Sequence, residues 1–383
     1  MKTKYTFLVL MLIFNFLSFN SAAQTQKGQD INGEAANDES GVSISMPDSN
    51  TVAIGSTQND GNGTDAGHVR VYTWNGSTWT QKGADMDGEA AGDLSGSSIS
   101  MSDANTVAIG APFNDGNGND SGHVRIYTWN GSTWIQKGID INGEAANDQS
   151  GRSVSMPDAN TVAIGAIRND GNGTDAGHVR VYTWNGSTWM QKGADMDGAG
   201  ADDRSGSAVS MPDANTVAIG APSNNGNGSS SGHVRIYTWN GSAWVQQNPD
   251  IDSEAAGDQS GASVSMPDPN TVAIGAPLND SGGIDAGHVR IYEDLTLSTE
   301  DFTLNKINIK LYPNPVAEVL HINLKGQIIH KLSIFDANGS LIKSISKDSD
   351  NITSVNVSGL ASGLYLLKVS TDQRELETKF LKK

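Results

Sequence analysis

The stretch Thr106-Val-Ala-Ile-Gly-Ala-Pro-Phe-Asn-Asp-Gly-Asn-Gly-Asn-Asp-Ser-Gly-His-Val-Arg-Ile-Tyr-Thr-Trp129 decides how this chain folds. Two short runs, 106–110 and 123–129, are rich in β-branched and aromatic residues, and a loop of Asn, Asp and Gly separates them. Runs of this kind bounded by turn formers read as neighbouring antiparallel strands. Ser97-Ser-Ile-Ser-Met101 ahead of them reads as a further strand, and Ser132–Gly138 behind them as a fourth. Pro157-Asp-Ala-Asn160 in the following copy marks a tight turn between the first two strands. Trp129-Asn-Gly-Ser-Thr-Trp134 carries Asn-Gly, a strong hairpin signal. A two-residue turn there sets Tyr127 opposite Trp134, an aromatic pair worth roughly 0.2–1 kcal/mol. Asn-Gly-Ser also spells a glycosylation sequon, but the hairpin already accounts for it.

The pattern recurs. Gly-His-Val-Arg returns at His68, His123, His178, His233 and His288, 55 residues apart each time, and Thr-Val-Ala-Ile-Gly ends at Gly55, Gly110, Gly165, Gly220 and Gly275. A period of this length implies a propeller or solenoid, and four antiparallel strands per period make a propeller blade. The fifth copy stops at Tyr292, where Glu293-Asp-Leu295 replaces the hairpin. Near the other end, Thr25-Gln-Lys-Gly-Gln-Asp30 matches the outer-strand segment Thr80-Gln-Lys-Gly-Ala-Asp85. The expected fold is therefore all-β. Residues 24–292 form a five-bladed β-propeller of 55-residue, four-stranded repeats, closed by the N-terminal strand pairing with His288–Tyr292.

The order Ser-Gly-x-Ser-Val-Ser, Thr-Val-Ala-Ile-Gly-Ala-Pro, Gly-His-Val-Arg-Val-Tyr resembles the FG-GAP repeats of integrin α-subunit propellers and their bacterial relatives. Gly-Ala-Pro is intact at Gly110–Pro112, Gly220–Pro222 and Gly275–Pro277, and altered at Gly55-Ser-Thr57 and Gly165-Ala-Ile167. Serine replaces the family's Phe at Ser40, Ser95, Ser150, Ser205 and Ser260. The calcium loop that the family places between its first two strands is replaced by a short Met-Pro-Asp-x-Asn turn. The family's calcium site therefore does not carry over to that loop, and its usual seven blades are not met.

Charge is concentrated in the repeats. The net −18 divides into +2 in residues 1–23, +4 in residues 305–383 and −24 between them. An acidic balance of this size argues against a nucleic-acid partner. With no cysteine, disulfides, thiolate nucleophiles and cysteine-ligated metals are excluded. In an antiparallel blade the long loops 114–120 and 85–93 share one face of the disc, so most of the negative charge gathers there. Those acids read first as solvated turn formers. Asp85, Asp87, Glu89 and Asp93, with Asp115 and Asp120, also offer oxygen ligands suited to calcium, though without a complete calcium-loop pattern, and copy four loses several of them. A third reading is direct contact with a ligand. The five histidines read as local packing against a neighbouring Asp. The eight Trp read as packing between blades, with sugar stacking the alternative. No nucleophile elbow, His-Glu-x-x-His or phosphate loop occurs, so the expectation is no enzyme.

The two ends carry addresses. Lys2 and Lys4, the apolar run Phe7–Phe14 and Ser21-Ala-Ala23 form a secretory signal peptide over residues 1–23. The run is too short and too interrupted for a span, and no later segment could cross a bilayer. Residues 293–305 read as a linker. Residues 306–383 turn basic and alternate as short strands, a small Ig-like β-sandwich. Tyr312-Pro313-Asn314-Pro315, Ile334-Phe-Asp336 with Gly339, Val357-Ser-Gly-Leu360, Gly363-x-Tyr365 and the terminal Lys379-Phe-Leu-Lys382-Lys383 closely resemble the type A C-terminal sorting domain of the Bacteroidetes type IX secretion system. The resemblance implies that the secretion machinery is a partner and that the destination is the cell surface or the medium. The functional expectation is adhesion or binding of a protein or glycan through the acidic face. A lectin-like protein using the rim aromatics, or a calcium-dependent surface-layer component, are the alternatives.

Overall fold

The computed structural model describes residues 25–293, 295, 309–324, 328–336, 339–347, 351–371 and 375–383. The signal peptide expected at 1–23 and, apart from 293 and 295, the linker expected at 293–305 lie outside the described residues. These residues fall into two units, divided between Ser298 and Thr299. No helix among them is long and apolar enough to cross a membrane.

The first unit is an array of five antiparallel sheets among the described residues, one per repeat. In the second repeat the strands are Ser98–Asp103, Thr106–Ala111, His123–Trp129 and an outer segment, Trp134–Gln136 continued by Ile141–Asn142. The central pairing runs from Thr106 opposite Thr128 to Ala111 opposite His123, and the other repeats keep this register. The hairpin differs from expectation. Trp134 pairs with Trp129 and Tyr127 with Gln136. The Asn130 side chain accepts the N–H groups of Ser132 and Thr133, at 2.9 Å each, and holds residues 130–133 as a four-residue loop in place of the two-residue turn.

Sheets stack face to face, and each core belongs to a junction rather than to one sheet. Ala53, Val69, Val71 and Met86 of the first repeat pack against Met101, Val107, Ile109 and Trp134 of the second. The same arrangement recurs from Ala108, Val124 and Ile126 onto Met156, Val162 and Ile164. A strand covered on both faces reads as a continuous apolar run, which is why Thr-Val-Ala-Ile-Gly shows no alternation. Its glycine is a close-approach position: a Cβ at Gly110 would lie 2.1 Å from the Gly151 carbonyl of the next sheet. Across the first junction, Ser43 Oγ donates to Gly96 O at 2.6 Å and Met101 N–H to Ser45 Oγ at 2.9 Å.

The expected closure does not form. The fifth sheet contains Ser263–Asp268, Thr271–Ala276 and His288–Tyr292, and residues 25–30 are not a strand of it. Lys27 instead sits at the first repeat, 5.1 Å and 5.2 Å from the Trp74 and Trp79 rings, and accepts a 2.8 Å hydrogen bond from Trp79 Nε1 at its carbonyl. Lys82 makes the same contacts with Trp129 and Trp134. The matching sequence at 25–30 therefore serves the downstream tryptophans without pairing to an upstream ladder. Both ends of the array stay uncovered. Val289 and Ile291 are each 67% exposed where Val124 and Ile126 are 0% and 1%, and Ile44 and Met46 are 65% and 53% exposed.

The second unit has two antiparallel sheets. One holds Lys310–Tyr312, Val319–Asn323 and Ser354–Asn356; the other holds Leu341–Ser346, Lys331–Phe335, Gly363–Ser370 and Glu375–Lys382. They share a core of Leu320, Ile322, Leu332, Ile334, Leu367 and Phe380. The peptide bonds before Pro313 and Pro315 are cis.

Candidate functional site

Two kinds of loop meet on one face of the array. Loops between second and third strands are pinned to loops leaving the outer strands, as where Asn117 Nδ2 donates to Gly143 O at 2.8 Å and Glu144 O at 3.0 Å. The six acids singled out from the sequence are divided among several places here. Asp93 is buried and accepts the N–H groups of Glu89 and Ala90 and the Asn114 side chain, at 3.2, 3.0 and 2.9 Å. Asp115 accepts the Asp120 N–H at 2.9 Å, and Asp120 has a left-handed backbone, φ 51°. Asp85 and Asp87 face His68 together with Glu34, while Glu89 reaches the next repeat and faces His123 with Asp140. No single cluster contains all six.

What the fold assembles instead is one imidazole per repeat at the start of the third strand, ringed by carboxylates from its own outer segment and from the preceding repeat. His123 and His178 are pushed down to about 4, chiefly by burial, with Arg125 and Arg180 adding to it and Asp140 and Asp195 opposing. Burial also lowers His68. Glu144 is raised by burial, with Asp195, Asp148 and Asp197 adding and Arg180 opposing. The sequence reading placed each histidine beside an Asp but missed the glutamate contributed from one repeat upstream. The repeated Glu34, Glu89 and Glu144 were the available signal.

A second feature went unread. Arg152 and Arg204 line a cleft on the same face with Ser207, Pro222, Ser223 and Gln259. Both stand at variable positions of the repeat: those equivalent to Arg152 hold Val42, Ser97, Ser207 and Ala262, and those equivalent to Arg204 hold Glu39, Leu94, Gln149 and Gln259.

On the opposite face the tryptophans are packing elements. Trp129 and Trp134 meet edge to face at 5.5 Å, and Lys82 lies over both while donating to Ala104 O at 2.5 Å and Asn105 Oδ1 at 2.7 Å. A sugar stacking on these rings would have to displace that ammonium.

In the second unit the sorting residues cluster around the last strand. Asn314 Oδ1 accepts the Leu381 N–H at 2.8 Å, and Lys383 N–H donates to Val316 O at 2.9 Å. Tyr312 stacks on His321, Gly363 pairs with Lys382, and Tyr365 stacks on Phe380 while donating to Ala361 O at 2.9 Å. Gly339 (φ 79°), Lys379, Asp336 and Tyr365 line a shallow cleft. Pro313, Pro315 and Lys382 complete the set, with Lys382 buried.

Comparison with known proteins separates the two units. Residues 310–383 match the secretion system C-terminal sorting domain, and residues 142–182 match the FG-GAP repeat. The sorting domain directs the chain through type IX secretion to the cell surface or the medium. The chain matches no curated protein. Among solved structures it is similar to a candidate 6-phosphogluconolactonase from Bacteroides uniformis, at 11% identity over 83% of this chain and 88% of that one, TM-score 0.45. A second candidate 6-phosphogluconolactonase, from Bacteroides fragilis, matches at 9% over 83% and 87%, TM-score 0.43. The β-propeller domain of the Trilobed protease from Pyrococcus furiosus, described as having an open velcro topology, matches at 9% over 88% and 91%, TM-score 0.39. The expectation of no enzyme is corrected: two of these solved structures are named as 6-phosphogluconolactonases, and the reading is withdrawn.

Proposed function

We propose that this is an exported binding protein whose repeat array meets its ligand on the loop face while the C-terminal unit, read as an Ig-like sandwich, engages the secretion machinery. The Arg152–Arg204 cleft carries this reading, because at these two variable positions of the repeat only Arg152 and Arg204 place a guanidinium on an otherwise acidic face. Ligand residues on loops held by a rigid scaffold are the usual arrangement. The surrounding charge narrows the ligand. A field of −24 repels polyanions at long range, whereas two guanidinium groups read a single carboxylate at contact. The ligand class is therefore an oligosaccharide or peptide that is mostly neutral and bears one acid group.

A glycan array probed with the full chain tests this. Glycans with one uronic or sialic acid should be retained, polysulfated ones should not, and Arg152→Ala with Arg204→Ala should lose the retained set. Equal retention by the double variant would refute the site. Delivery is tested separately. Deleting residues 306–383 should trap the array in the periplasm, and normal surface display of the truncated chain would refute the role of the tail.

A further inference from the structure

Three successive repeats seal an imidazole in protein with neither ring nitrogen partnered. The His68, His123 and His178 side chains are 1%, 1% and 0% exposed. Each Nδ1 points at carboxylates that stand just beyond hydrogen-bonding distance. Around His68 they are Glu34, Asp85 and Asp87 at 3.9, 3.8 and 3.9 Å. Around His123 they are Glu89 and Asp140 at 3.8 and 3.9 Å. Around His178 they are Glu144, Asp195 and Asp197 at 4.0, 3.6 and 4.0 Å. A buried polar group left without a partner is costly, so three identical cases call for a common missing partner. Donors bound to one small dication at about 2.0–2.2 Å stand roughly 3.3–4 Å from one another, the spacing seen here from each Nδ1 to its carboxylates, and each set lies within 4.8 Å overall. Each glutamate has one oxygen for the site, because the other faces arginine: Arg70, Arg125 and Arg180 lie 3.4, 3.7 and 3.3 Å from Oε1 of Glu34, Glu89 and Glu144.

The molecule contains its own control. In the fourth repeat Ala199 stands where the glutamate would be. There His233 Nδ1 lies 3.2 Å from Asp250 Oδ2, an ordinary paired distance. In the fifth, His288 faces Glu254 at 4.0 Å, is 20% exposed, and has no outer strand among the described residues to bring an aspartate. We propose that His68 with Glu34, Asp85 and Asp87, His123 with Glu89 and Asp140, and His178 with Glu144, Asp195 and Asp197 bind a first-row dication of the zinc type, three per chain. One imidazole with carboxylates suits such ions, whereas calcium takes oxygen ligands alone.

The test is metal analysis of the full chain after chelator treatment, reloading with zinc and dialysis. Three zinc ions per chain are expected, undisplaced by excess calcium, with two remaining in His178→Gln and three in His233→Gln. Glu144→Gln changes only a half-exposed residue, leaves the imidazole in place and should also lose one ion. Retention of no zinc, or three ions in every variant, would overturn the proposal.

The uncovered ends carry a second, independent inference. Val289 and Ile291 on the last sheet occupy the positions of Val69 and Val71 on the first, and Ile44 and Met46 those of Ile99 and Met101 on the second. The last sheet thus presents the upstream half of a junction, and the first presents the downstream half. We propose that a second copy of this chain docks head to tail here and reproduces the internal junction. Such a contact is heterologous and builds rings or filaments. Sedimentation of the full chain should show association that rises with concentration, and Val289→Lys with Ile291→Lys should be monomeric. Because both side chains are exposed, that variant keeps its fold. A wild-type chain that stays monomeric at every concentration, ends shielded within one molecule included, would overturn the proposal.

Discussion

Ile126 and Ile291 are the same residue at the same place in the repeat, one sealed and one in water. The comparison shows that the third strand carries no stability of its own. What makes its side chains a core is the next sheet, and the period supplies that sheet four times and then stops. The sharpest way to break this comparison is truncation at both positions. Ile126→Ala should cost about 2–5 kcal/mol, from lost transfer energy and the cavity left behind. Ile291→Ala should stay within about 0.5 kcal/mol, as for an exposed site. Urea unfolding at low protein concentration measures both. Equal costs would mean that the last sheet is covered in solution.

Glycine sharpens the comparison at the loops. Gly122 and Gly287 share a left-handed backbone, φ 71° and 69°. A Cβ on Gly122 would meet the Ser150 carbonyl of the following repeat at 2.2 Å, whereas on Gly287 the nearest atom is Pro277 O at 2.8 Å, within its own repeat. Both alanine variants carry the backbone cost of about 1 kcal/mol. Gly122→Ala should add roughly another 1–2 kcal/mol as the next loop is forced away. Melting temperatures that fall equally would show that this approach is not tight.

The lysine cages come next in size. Lys137 lies 5.3 Å from both the Trp184 and Trp189 rings and donates to Ala159 O at 2.6 Å and Asn160 Oδ1 at 2.8 Å, tying the second repeat to the third. Lys27 makes the equivalent contacts at the first repeat from a segment that belongs to no sheet. Lys137→Ala should lower stability by about 1–2 kcal/mol. Lys27→Ala should leave the unfolding midpoint nearly unchanged and show itself as faster proteolysis near residue 27.

The repeat and the strand order were legible because Thr-Val-Ala-Ile-Gly and Gly-His-Val-Arg recur at a fixed period. Closure was not legible. The match between residues 25–30 and 80–85 is real, but those residues serve two neighbours, a ladder upstream and a tryptophan pair downstream, and sequence likeness cannot say which contact survives alone. The histidine clusters were half legible. Asp85 and Asp140 lie within one repeat of their imidazoles, but Glu34 and Glu89 arrive across a junction, and only the stacking of sheets brings them in. The hairpin was misread because Asn130 uses its side chain to hold two further residues in the loop. The Arg152–Arg204 cleft was not legible for a different reason: a period shows only what the copies share, and these two residues stand where they differ.

The smallest effect concerns a bond that does not belong to the junctions at all. Asp38 and Asp258 are the first and last of the buried aspartates that tie a loop to its own repeat, through Asn59 Nδ2 at 3.1 Å and Asn279 Nδ2 at 2.9 Å. Burial alone would raise the Asp258 carboxyl, but the Ser253 hydroxyl, the Asn279 amide and the Ala255 N–H together hold it below the usual range. A carboxyl lowered in the folded state stabilises the fold above its unfolded value, near 3.9, and that contribution is lost as the pH falls toward the folded value. The wild-type chain should therefore lose stability below about pH 4. Asp258→Asn should lose less over that range, because a neutral amide cannot titrate. Asp38→Asn should match it, since the Asp38 carboxyl is lowered in the same sense by hydrogen bonds from Ala35 N–H and Asn59 that outweigh its burial. Matching slopes at the two ends would show that these loops are complete within a single repeat, whereas the sheets they cap need a neighbour to bury their third strand.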